Sequence, residues 1–305
     1  MQLLNASGCL DALAAPDVAR TLDAYVTKTV TPLPREGNAP VRIAETEAGM
    51  LNAIGLANPG VDAFLADHLP RLATLGVPLW VSVGGFATED YVHVAERLAG
   101  RAEIETLELN LSCPNVDEVP ENVDEVVAAV RAVSDKPLYA KLSAAVADLA
   151  ATARAAEAAG ADGLSLVNTI RGLALDERTL RPVLARGAGG LSGPALRPVA
   201  LAAVHTCFRE TRLPIVGMGG VATGRHALEL LAVGATDVAV GTALFSGPGA
   251  AARVRSELQA ELVALGFANP DNAVGVAHTA GESTLDPRSR VVAEKSLHTG
   301  LKLSG

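Results

Sequence analysis

Eight short apolar runs alternate along the chain with longer stretches whose apolar residues have helical spacing. Runs of Val, Leu and Ile of this length are typical of parallel strands that are buried on both faces. Their repeated alternation with helices predicts a single α/β domain, a closed (β/α)8 TIM barrel, rather than an open doubly wound sheet. The predicted strands are residues 2–6, 24–28, 78–83, 106–110, 137–142, 163–167, 214–217 and 237–240.

The predicted helices are residues 17–22, 61–75, 89–98, 122–133, 146–159, 195–210, 225–232 and 250–265. Two connections, residues 29–60 and 169–194, are too long to be simple turns. Both follow the carboxyl ends of strands, where the active sites of such barrels lie, so we expect both to be functional. We expect the barrel to occupy residues 1–280, and residues 281–305, which mix Ser, Thr, Arg and Lys without a period, to form a polar C-terminal tail.

Composition limits the partners and the location of the chain. Hydrophobic residues make up 49% of its 305 residues, which excludes intrinsic disorder. The formal net charge of −9 argues against a nucleic-acid or anionic-membrane partner. The sequence has neither an apolar run of about 20 residues nor a signal peptide, and its three cysteines are too few for a disulfide framework. We therefore expect a cytoplasmic protein.

Polar residues and glycines collect at the ends of the predicted strands, which all meet at one face of the predicted barrel. A general preference for polar residues at strand ends accounts for the glycines, but poorly for Lys28 and Lys141, because lysine is rarely buried without a partner. The positions are Ser7-Gly8, Lys28-Thr29, Gly84-Gly85, residues 110–115, Lys141-Leu142-Ser143, Asn168-Thr169, Gly219-Gly220 and Gly241-Thr242.

Glycine-rich loops follow the last two predicted strands, at Gly219-Gly220 and Gly241-Thr242, and a third such loop, residues 189–194, precedes a predicted helix. In (β/α)8 barrels the loops after strands seven and eight commonly bind phosphate through backbone N–H groups. The loops therefore predict a phosphorylated ligand. The sequence has no Walker-type Lys-Ser/Thr pair, which argues against a nucleoside triphosphate.

The segment from Asn110 to Asn115 places a cysteine, Cys113, on a proline-containing loop after a strand. A thiol there can act as a general base, and the flanking amides can both donate to and accept from a ring of alternating C=O and N–H groups. The alternative is a buried structural cysteine, which is how we interpret Cys207; the sequence does not decide between the two for Cys9. The six histidines lack ligand spacing, so we expect no metal site.

Together these motifs resemble the class 1 dihydroorotate dehydrogenases, and most of all the NAD-linked class 1B branch. The resemblance runs from about residue 4 to residue 242, and its motifs occur in family order. They are residues 6–9 (ASGC), 28–31 (KTVT), 35–38 (REGN), 45–56 (ETEAGMLNAIGL), 58–60 (NPG), 108–115 (ELNLSCPN), 139–143 (YAKLS), 167–169 (VNT), 190–195 (GLSGPA), 217–221 (GMGGV) and 240–242 (VGT).

The resemblance implies that FMN is the cofactor and that the protein oxidises (S)-dihydroorotate to orotate in pyrimidine biosynthesis. It implies that Cys113 removes the C5 proton while hydride passes from C6 to flavin N5, and that Lys141 stabilises the negative charge of reduced flavin. The implied substrate-binding residues are Lys28, Asn52, Asn110, Asn115, Asn168 and Thr169. The implied cofactor-binding residues are Ser7, Gly8, Lys28, Thr29, Asn110, Lys141, Val167, Gly193, Gly219, Gly220, Gly241 and Thr242.

Members of the 1B branch pass electrons to a separate subunit that carries FAD and a [2Fe-2S] cluster, and then to NAD. This chain lacks a four-cysteine cluster pattern, so we expect such a relay in a partner subunit, within a homodimer or a heterotetramer.

Three departures from the family pattern keep a different substrate open, and a function of another class is a second alternative. The loop after Cys113 is short, Ala144-Ala145 replaces the usual Pro-Asn, and Arg171 adds a cation beside a substrate asparagine. The alternatives are an FMN oxidoreductase for another reduced pyrimidine such as dihydrouracil, and a barrel without redox activity that binds a phosphorylated metabolite.

Overall fold

Eight parallel strands form a barrel in the computed structural model, which describes residues 1–112 and 122–278. The barrel strands are β1 (Leu3–Asn5), β2 (Tyr25–Val26), β5 (Leu79–Val83), β6 (Thr106–Asn110), β7 (Leu138–Leu142), β8 (Gly163–Leu166), β11 (Ile215–Met218) and β12 (Asp237–Val240). They are hydrogen-bonded in the order β1-β12-β11-β8-β7-β6-β5-β2. Leu4 pairs in parallel with Ala24, and the Asn5 side chain bonds both backbone polar groups of Val26, so β1 and β2 close the ring.

Helices lie between the strands at the positions that the sequence predicts, with changes of a few residues at most of their ends. They are α1 (Pro16–Ala19), α2 (Gly60–Ala63), α3 (Leu69–Ala73), α4 (Thr88–Ala99), α5 (Val123–Arg131), α6 (Leu149–Ala158), α7 (Arg197–Glu210), α8 (Gly224–Ala232), α9 (Ala243–Ser246) and α10 (Ala250–Ala264). Short 3₁₀ turns occupy Pro194–Leu196, Pro270–Ala273 and Val276–His278.

Two predicted elements differ from the structure. The second strand, predicted over residues 24–28, extends only over Tyr25–Val26. The helix predicted over residues 61–75 is divided, because a π-helical turn at Phe64–His68 separates α2 from α3. Pro70, in the first turn of α3, has no backbone N–H to continue the α-helical ladder, which accounts for the break.

The two long connections hold a second sheet that the sequence analysis did not predict. Strands β3 (Ile43–Thr46) and β4 (Gly49–Asn52) come from the first connection, and β9 (Ile170–Gly172) and β10 (Gly189–Ser192) come from the second. They pair antiparallel in the order β3-β4-β10-β9. Asn52 on β4 is in register with Gly190 on β10, so the two connections are joined across the carboxyl-terminal face of the barrel.

The barrel has an apolar interior below its carboxyl-terminal face and a larger core between strands and helices. Inside the barrel lie Leu4, Ala24, Val26, Trp80, Val216, Met218 and Ala239, all buried. Within the described residues, no helix combines the length and the apolar character that crossing a bilayer requires. Residues 281–305, the predicted tail, lie outside the described residues.

Candidate active site

A cavity opens at the carboxyl ends of the barrel strands, beneath the antiparallel sheet. It holds about 1160 Å³ of space, part of it open to solvent. All fifteen predicted site residues that the structure describes line it: Ser7, Gly8, Lys28, Thr29, Asn52, Asn110, Lys141, Val167, Asn168, Thr169, Gly193, Gly219, Gly220, Gly241 and Thr242. The structure thus brings these residues together, whereas their individual roles stay predictions.

Cys113 and Asn115, the remaining two predicted site residues, lie outside the described residues. The chain is well fixed up to Ser112, directly before Cys113. Ser112 Oγ donates to the Lys141 carbonyl oxygen at 3.1 Å, and Asn168 Nδ2 donates to the Ser112 carbonyl oxygen at 3.1 Å. The segment that leads into Cys113 is therefore held against β7 and the end of β8.

A chain of hydrogen-bonded amides and hydroxyls runs along one wall of the cavity. Asn168 Nδ2 donates to Asn110 Oδ1 at 3.0 Å, and Asn110 Nδ2 donates to Thr29 Oγ1 at 3.2 Å. Thr29 Oγ1 also lies 3.0 Å from Ser82 Oγ, and the Thr169 N–H donates to Asn168 Oδ1 at 2.8 Å. These contacts fix the orientation of the amides before any ligand binds, which lowers the ordering cost of binding.

Two lysines supply positive charge to the cavity. Gly8 has a φ of +77°, which favours glycine, and a Cβ built there would lie 2.9 Å from Lys28 Cδ, so the Lys28 side chain passes directly over Gly8. Lys141 is buried on β7, and its Nζ lies 3.4 Å from Oε1 of Glu108 on β6. Sequence reasoning missed Glu108, because a lone acidic residue within an apolar run shows no partner until the register of β6 against β7 is known.

Cys9 also lines the cavity, on the loop that follows β1. Burial raises the pKa of the Cys9 thiol, and the nearby Lys141 and Lys28 ammonium groups act in the opposite direction. The thiol is therefore neutral near pH 7, unlike a cysteine activated by cations alone. Cys207 is fully buried in α7, and burial raises its pKa to about 12, which fits the structural cysteine that the sequence predicts.

Glycines from three loops meet at one end of the cavity. Gly193, Gly219 and Gly220 have φ values of +91°, +123° and +72°, and a Cβ at Gly220 would lie 2.8 Å from the Gly193 carbonyl oxygen. Thr242 Oγ1 donates to Ser192 Oγ at 2.8 Å, which joins the loop after β12 to the end of β10. The result is a cradle that is lined by backbone and has little side-chain bulk, as phosphate binding requires.

Sequence reasoning missed the apolar wall of the cavity. Ile43, Met50, Ile54, Leu56, Leu196, Met218 and Phe245 line it along with the polar residues above. Most of them lie in the connections or beside the glycine loops, where apolar residues carry no functional signal in a single sequence. Arg171, considered above as a determinant of substrate choice, is exposed and is not among the lining residues.

Within the described residues, no group of three or more His, Cys, Asp or Glu side chains is placed to hold a metal ion. The cavity has an apolar wall, a row of amides, two cations and a glycine cradle. This combination fits a planar ligand with a phosphate together with a small anionic ring. Fold and site thus define a (β/α)8 barrel of the kind that binds a phosphorylated organic cofactor at its carboxyl-terminal face.

Comparison with known proteins identifies the family. The family model described as dihydroorotate dehydrogenase matches residues 2–262, so the chain belongs to the dihydroorotate dehydrogenase family. This confirms the resemblance found in the sequence.

Curated relatives narrow the branch to class 1B. The chain is 47% identical over 267 residues, 85% of this chain and 87% of the relative, to the dihydroorotate dehydrogenase B (NAD(+)) catalytic subunit of Desulforudis audaxviator (strain MP104C). It is 44% identical to the subunit of the same name from Anoxybacillus flavithermus (strain DSM 21510 / WK1), with 86% of each chain covered. The equivalent from Geobacillus kaustophilus (strain HTA426) is 42% identical, with 90% of each chain covered.

Solved structures confirm the fold. The crystal structure of DHODH from Eimeria tenella in complex with ferulenol superimposes with a TM-score of 0.77 at 24% identity, covering 90% of this chain and 85% of that chain. The ligand-free form of the same enzyme gives a TM-score of 0.77 at 23% identity, with 90% and 88% covered. The predicted (β/α)8 barrel is therefore confirmed.

FMN is the cofactor of this family, and the residues of this cavity fit it. A Cβ at Gly193 or Gly220 would meet backbone atoms at 2.7–2.8 Å, so glycine lets the loops pack closely and line the cavity with backbone, as a phosphate site requires. Lys141 supplies a buried cation suited to the negative charge of a reduced flavin.

Proposed function

We propose that this chain oxidises (S)-dihydroorotate to orotate, with FMN as the immediate electron acceptor and Cys113 as the base. One observation carries this assignment: the fifteen described residues that match the family's site all line a single cavity at the catalytic face of the barrel. The shared cavity supports joint binding of cofactor and substrate.

Proton removal belongs to Cys113 in this assignment. When the C5–H bond breaks, the Cys113 thiolate takes the proton, and the electron pair of that bond forms the C5–C6 double bond. The hydrogen on C6 leaves with its own electron pair as hydride. Bound FMN would accept this hydride. The hydrogen bonds from Ser112 to Lys141 and from Asn168 to Ser112 hold the chain directly before the base, which supports a fixed approach to C5.

The substrate is an anionic ring with alternating donors and acceptors. Asn52, Asn110, Asn115, Asn168 and Thr169 are assigned to hold it, because amides satisfy both kinds of group without adding charge. Lys28 supplies the charge for the carboxylate. The antiparallel sheet above the cavity, with Ile43 and Met50 in the lining, limits the access of water to the reacting bonds.

The cofactor phosphate is assigned to the glycine cradle. Gly193, Gly219, Gly220, Gly241 and Thr242 would bind it through backbone N–H groups and one hydroxyl. Ser7, Gly8, Thr29, Asn110 and Val167 would contact the rest of the cofactor from the ends of their strands, and Lys141 and Lys28 would bring charge to it.

We further propose a partner subunit that carries FAD and a [2Fe-2S] cluster and delivers electrons to NAD. The names of the relatives, which specify a catalytic subunit and NAD(+), support a partner subunit and NAD as the final acceptor. The FAD and the [2Fe-2S] cluster follow from the resemblance to the 1B branch. Five aliphatic residues in the connections that form the antiparallel sheet are exposed, and we assign them to the contact with this partner subunit: Val41, Ile43, Leu173, Leu175 and Leu180. We assign the protein to the cytoplasm, as a homodimer or as a heterotetramer with this partner subunit.

Anaerobic addition of (S)-dihydroorotate to the FMN-loaded protein tests the activity. We expect loss of the flavin absorbance near 450 nm and formation of about one orotate per flavin. If dihydrouracil bleaches the flavin and dihydroorotate does not, the substrate is another reduced pyrimidine and the assignment to dihydroorotate is wrong. A purified protein that neither carries nor binds flavin would instead favour a barrel that binds a phosphorylated metabolite.

A further inference from the structure

Glu108 is a buried charged residue to which none of the roles above applies. It lies on β6 with its side chain 1% exposed, and it is not among the residues that line the cavity. Its Oε1 is 3.4 Å from Nζ of Lys141, whose side chain is 7% exposed. Among the ion pairs of the described residues, this is the pair in which both side chains are almost fully buried.

A buried pair of this kind does not normally add to stability, because desolvation of both charges offsets their attraction. Breaking such a pair is costly, however, since the remaining charge is left buried without a partner. A buried lysine in that state tends to give up its proton. The carboxylate of Glu108 therefore supplies the partner that the buried Lys141 ammonium needs.

We propose that Glu108 is a positioning residue that holds the Lys141 ammonium in place, so that the cation lies at the flavin in both redox states. This rests on the assignment of Lys141 to the flavin made above. Glu108 acts only through Lys141, because Lys141 lines the cavity and Glu108 lies beneath it.

The Lys141 ammonium is held from one side, by its contact with Glu108, which we call the tether. Lysine has three N–H donors, and within the described residues Glu108 is the hydrogen-bond partner of the ammonium, so the remaining donors are left for the cavity. On the other side of β7, Ser165 is in register with Lys141, and its buried Oγ has no hydrogen-bond partner in the described part of the chain. No second carboxylate competes from that strand.

The other titratable groups around the pair do not replace Glu108. Lys28 lines the same cavity and carries the same charge as Lys141, so the two ammonium groups repel each other. Burial raises the pKa of the Cys9 thiol, which leaves it neutral near pH 7. Tyr139 is in register with Glu108, and burial raises its pKa to about 12. Among the described residues, Glu108 is thus the anion available to the ammonium before a ligand brings its own charge.

The consequence is a defined proton count for flavin reduction. With Glu108 present, the Lys141 ammonium has its ion-pair partner before and after reduction. With Glu108→Gln, we expect Lys141 to be neutral beside oxidised flavin and to gain a proton when negative charge develops. Each additional proton steepens the pH dependence of a two-electron potential by about 30 mV per pH unit, since a tenfold change in an equilibrium constant corresponds to that voltage.

The test is a potentiometric titration of FMN-loaded protein between pH 6 and 9, without dihydroorotate. We expect Glu108→Gln to raise the slope by about one proton per two electrons. In the Lys141→Gln background, adding Glu108→Gln should leave the slope unchanged. Ser165→Ala is the matched control: it alters a buried neutral group beside Lys141, and its slope should equal that of the native protein.

Two results would overturn the role of Glu108: an unchanged slope in Glu108→Gln, or an added proton that persists without Lys141. If Glu108→Gln fails to fold but the double variant folds, the cost lies in the unpaired lysine, as the tether requires. If both fail, Glu108 supports the barrel independently of Lys141 and the positioning role is wrong. Because flavin absorbance is the readout, a different substrate would leave these outcomes intact.

Discussion

Asn168 Nδ2 donates a hydrogen bond to Asn110 Oδ1 at 3.0 Å, which links the ends of β8 and β6 across the intervening strand β7. The same nitrogen lies 3.1 Å from the Ser112 carbonyl oxygen. One amide therefore orients a second site amide and the segment that leads to Cys113. Asn168 prepares the site as well as being a candidate contact for the substrate.

Replacement of Asn168 should therefore harm catalysis more than a lost substrate contact alone. For Asn168→Ala we expect kcat/KM for dihydroorotate to fall about 100-fold or more, because one buried hydrogen bond accounts for roughly tenfold and several are removed. Steady-state kinetics with an artificial electron acceptor measures it. Arg171→Gln, at an exposed residue outside the cavity lining, should keep the native value; a matching loss there would contradict the geometry.

Gly220→Ala should weaken FMN binding by about tenfold or more. The φ of +72° strains an alanine, and its Cβ would meet the Gly193 carbonyl oxygen at 2.8 Å, which would force apart the loops that form the cradle. Gly266→Ala is the control: its φ is +77°, but the added Cβ meets no atom within 4 Å. Titration of apoprotein with FMN should separate the two variants, and equal affinities would remove the cradle from the cofactor site.

Cys113→Ser should slow flavin reduction by dihydroorotate about 10²- to 10⁴-fold, the usual contribution of a general base, while FMN binding is kept. Anaerobic stopped-flow absorbance measures the rate directly. Cys207→Ala removes a thiol in α7 that is not among the cavity-lining residues, and should leave the rate unchanged. A Cys113→Ser protein as fast as the native one would require a different base.

Stability should fall as the pH rises above about 9. Burial raises the pKa of Cys207 from 9.0 to about 12, so the unfolded chain loses this proton at a lower pH than the folded protein. The stabilisation is complete below pH 9 and is lost towards pH 12. Urea unfolding between pH 8 and 10 should show a shallower decline for Cys207→Ala than for the native protein; equal slopes would show that Cys207 does not cause the decline.

The barrel was predictable because each of its strands combines a short apolar run with a following helix. Two features were not predicted, one because it depends on contacts between distant segments and the other because a proline interrupts a helix locally. The antiparallel sheet pairs Asn52 with Gly190, and the modest alternation of exposure along Ile43–Thr46 gives a weak strand pattern. The π-helical turn at Phe64–His68 reflects Pro70 within an otherwise regular helical pattern.

The polar site was predictable because the carboxyl ends of the strands in a parallel barrel meet at one face, regardless of the conformations of the loops. Lys141 could be placed from its position at the end of an apolar run. Its partner Glu108 could not, because pairing follows from the register in which Asn110 lies beside Lys141. The apolar wall, including Leu56 and Phe245, also needed the folded chain, since it joins residues about 190 positions apart that carry no chemistry of their own.

The central claim is that one cavity holds FMN and orotate together. A crystal structure of the protein with both bound tests it most directly. We predict the FMN phosphate at Gly193, Gly219, Gly220 and Gly241, and orotate within hydrogen-bond distance of Asn52, Asn110 and Asn168. Orotate bound elsewhere, or a flavin phosphate placed away from the glycine cradle, would contradict the account.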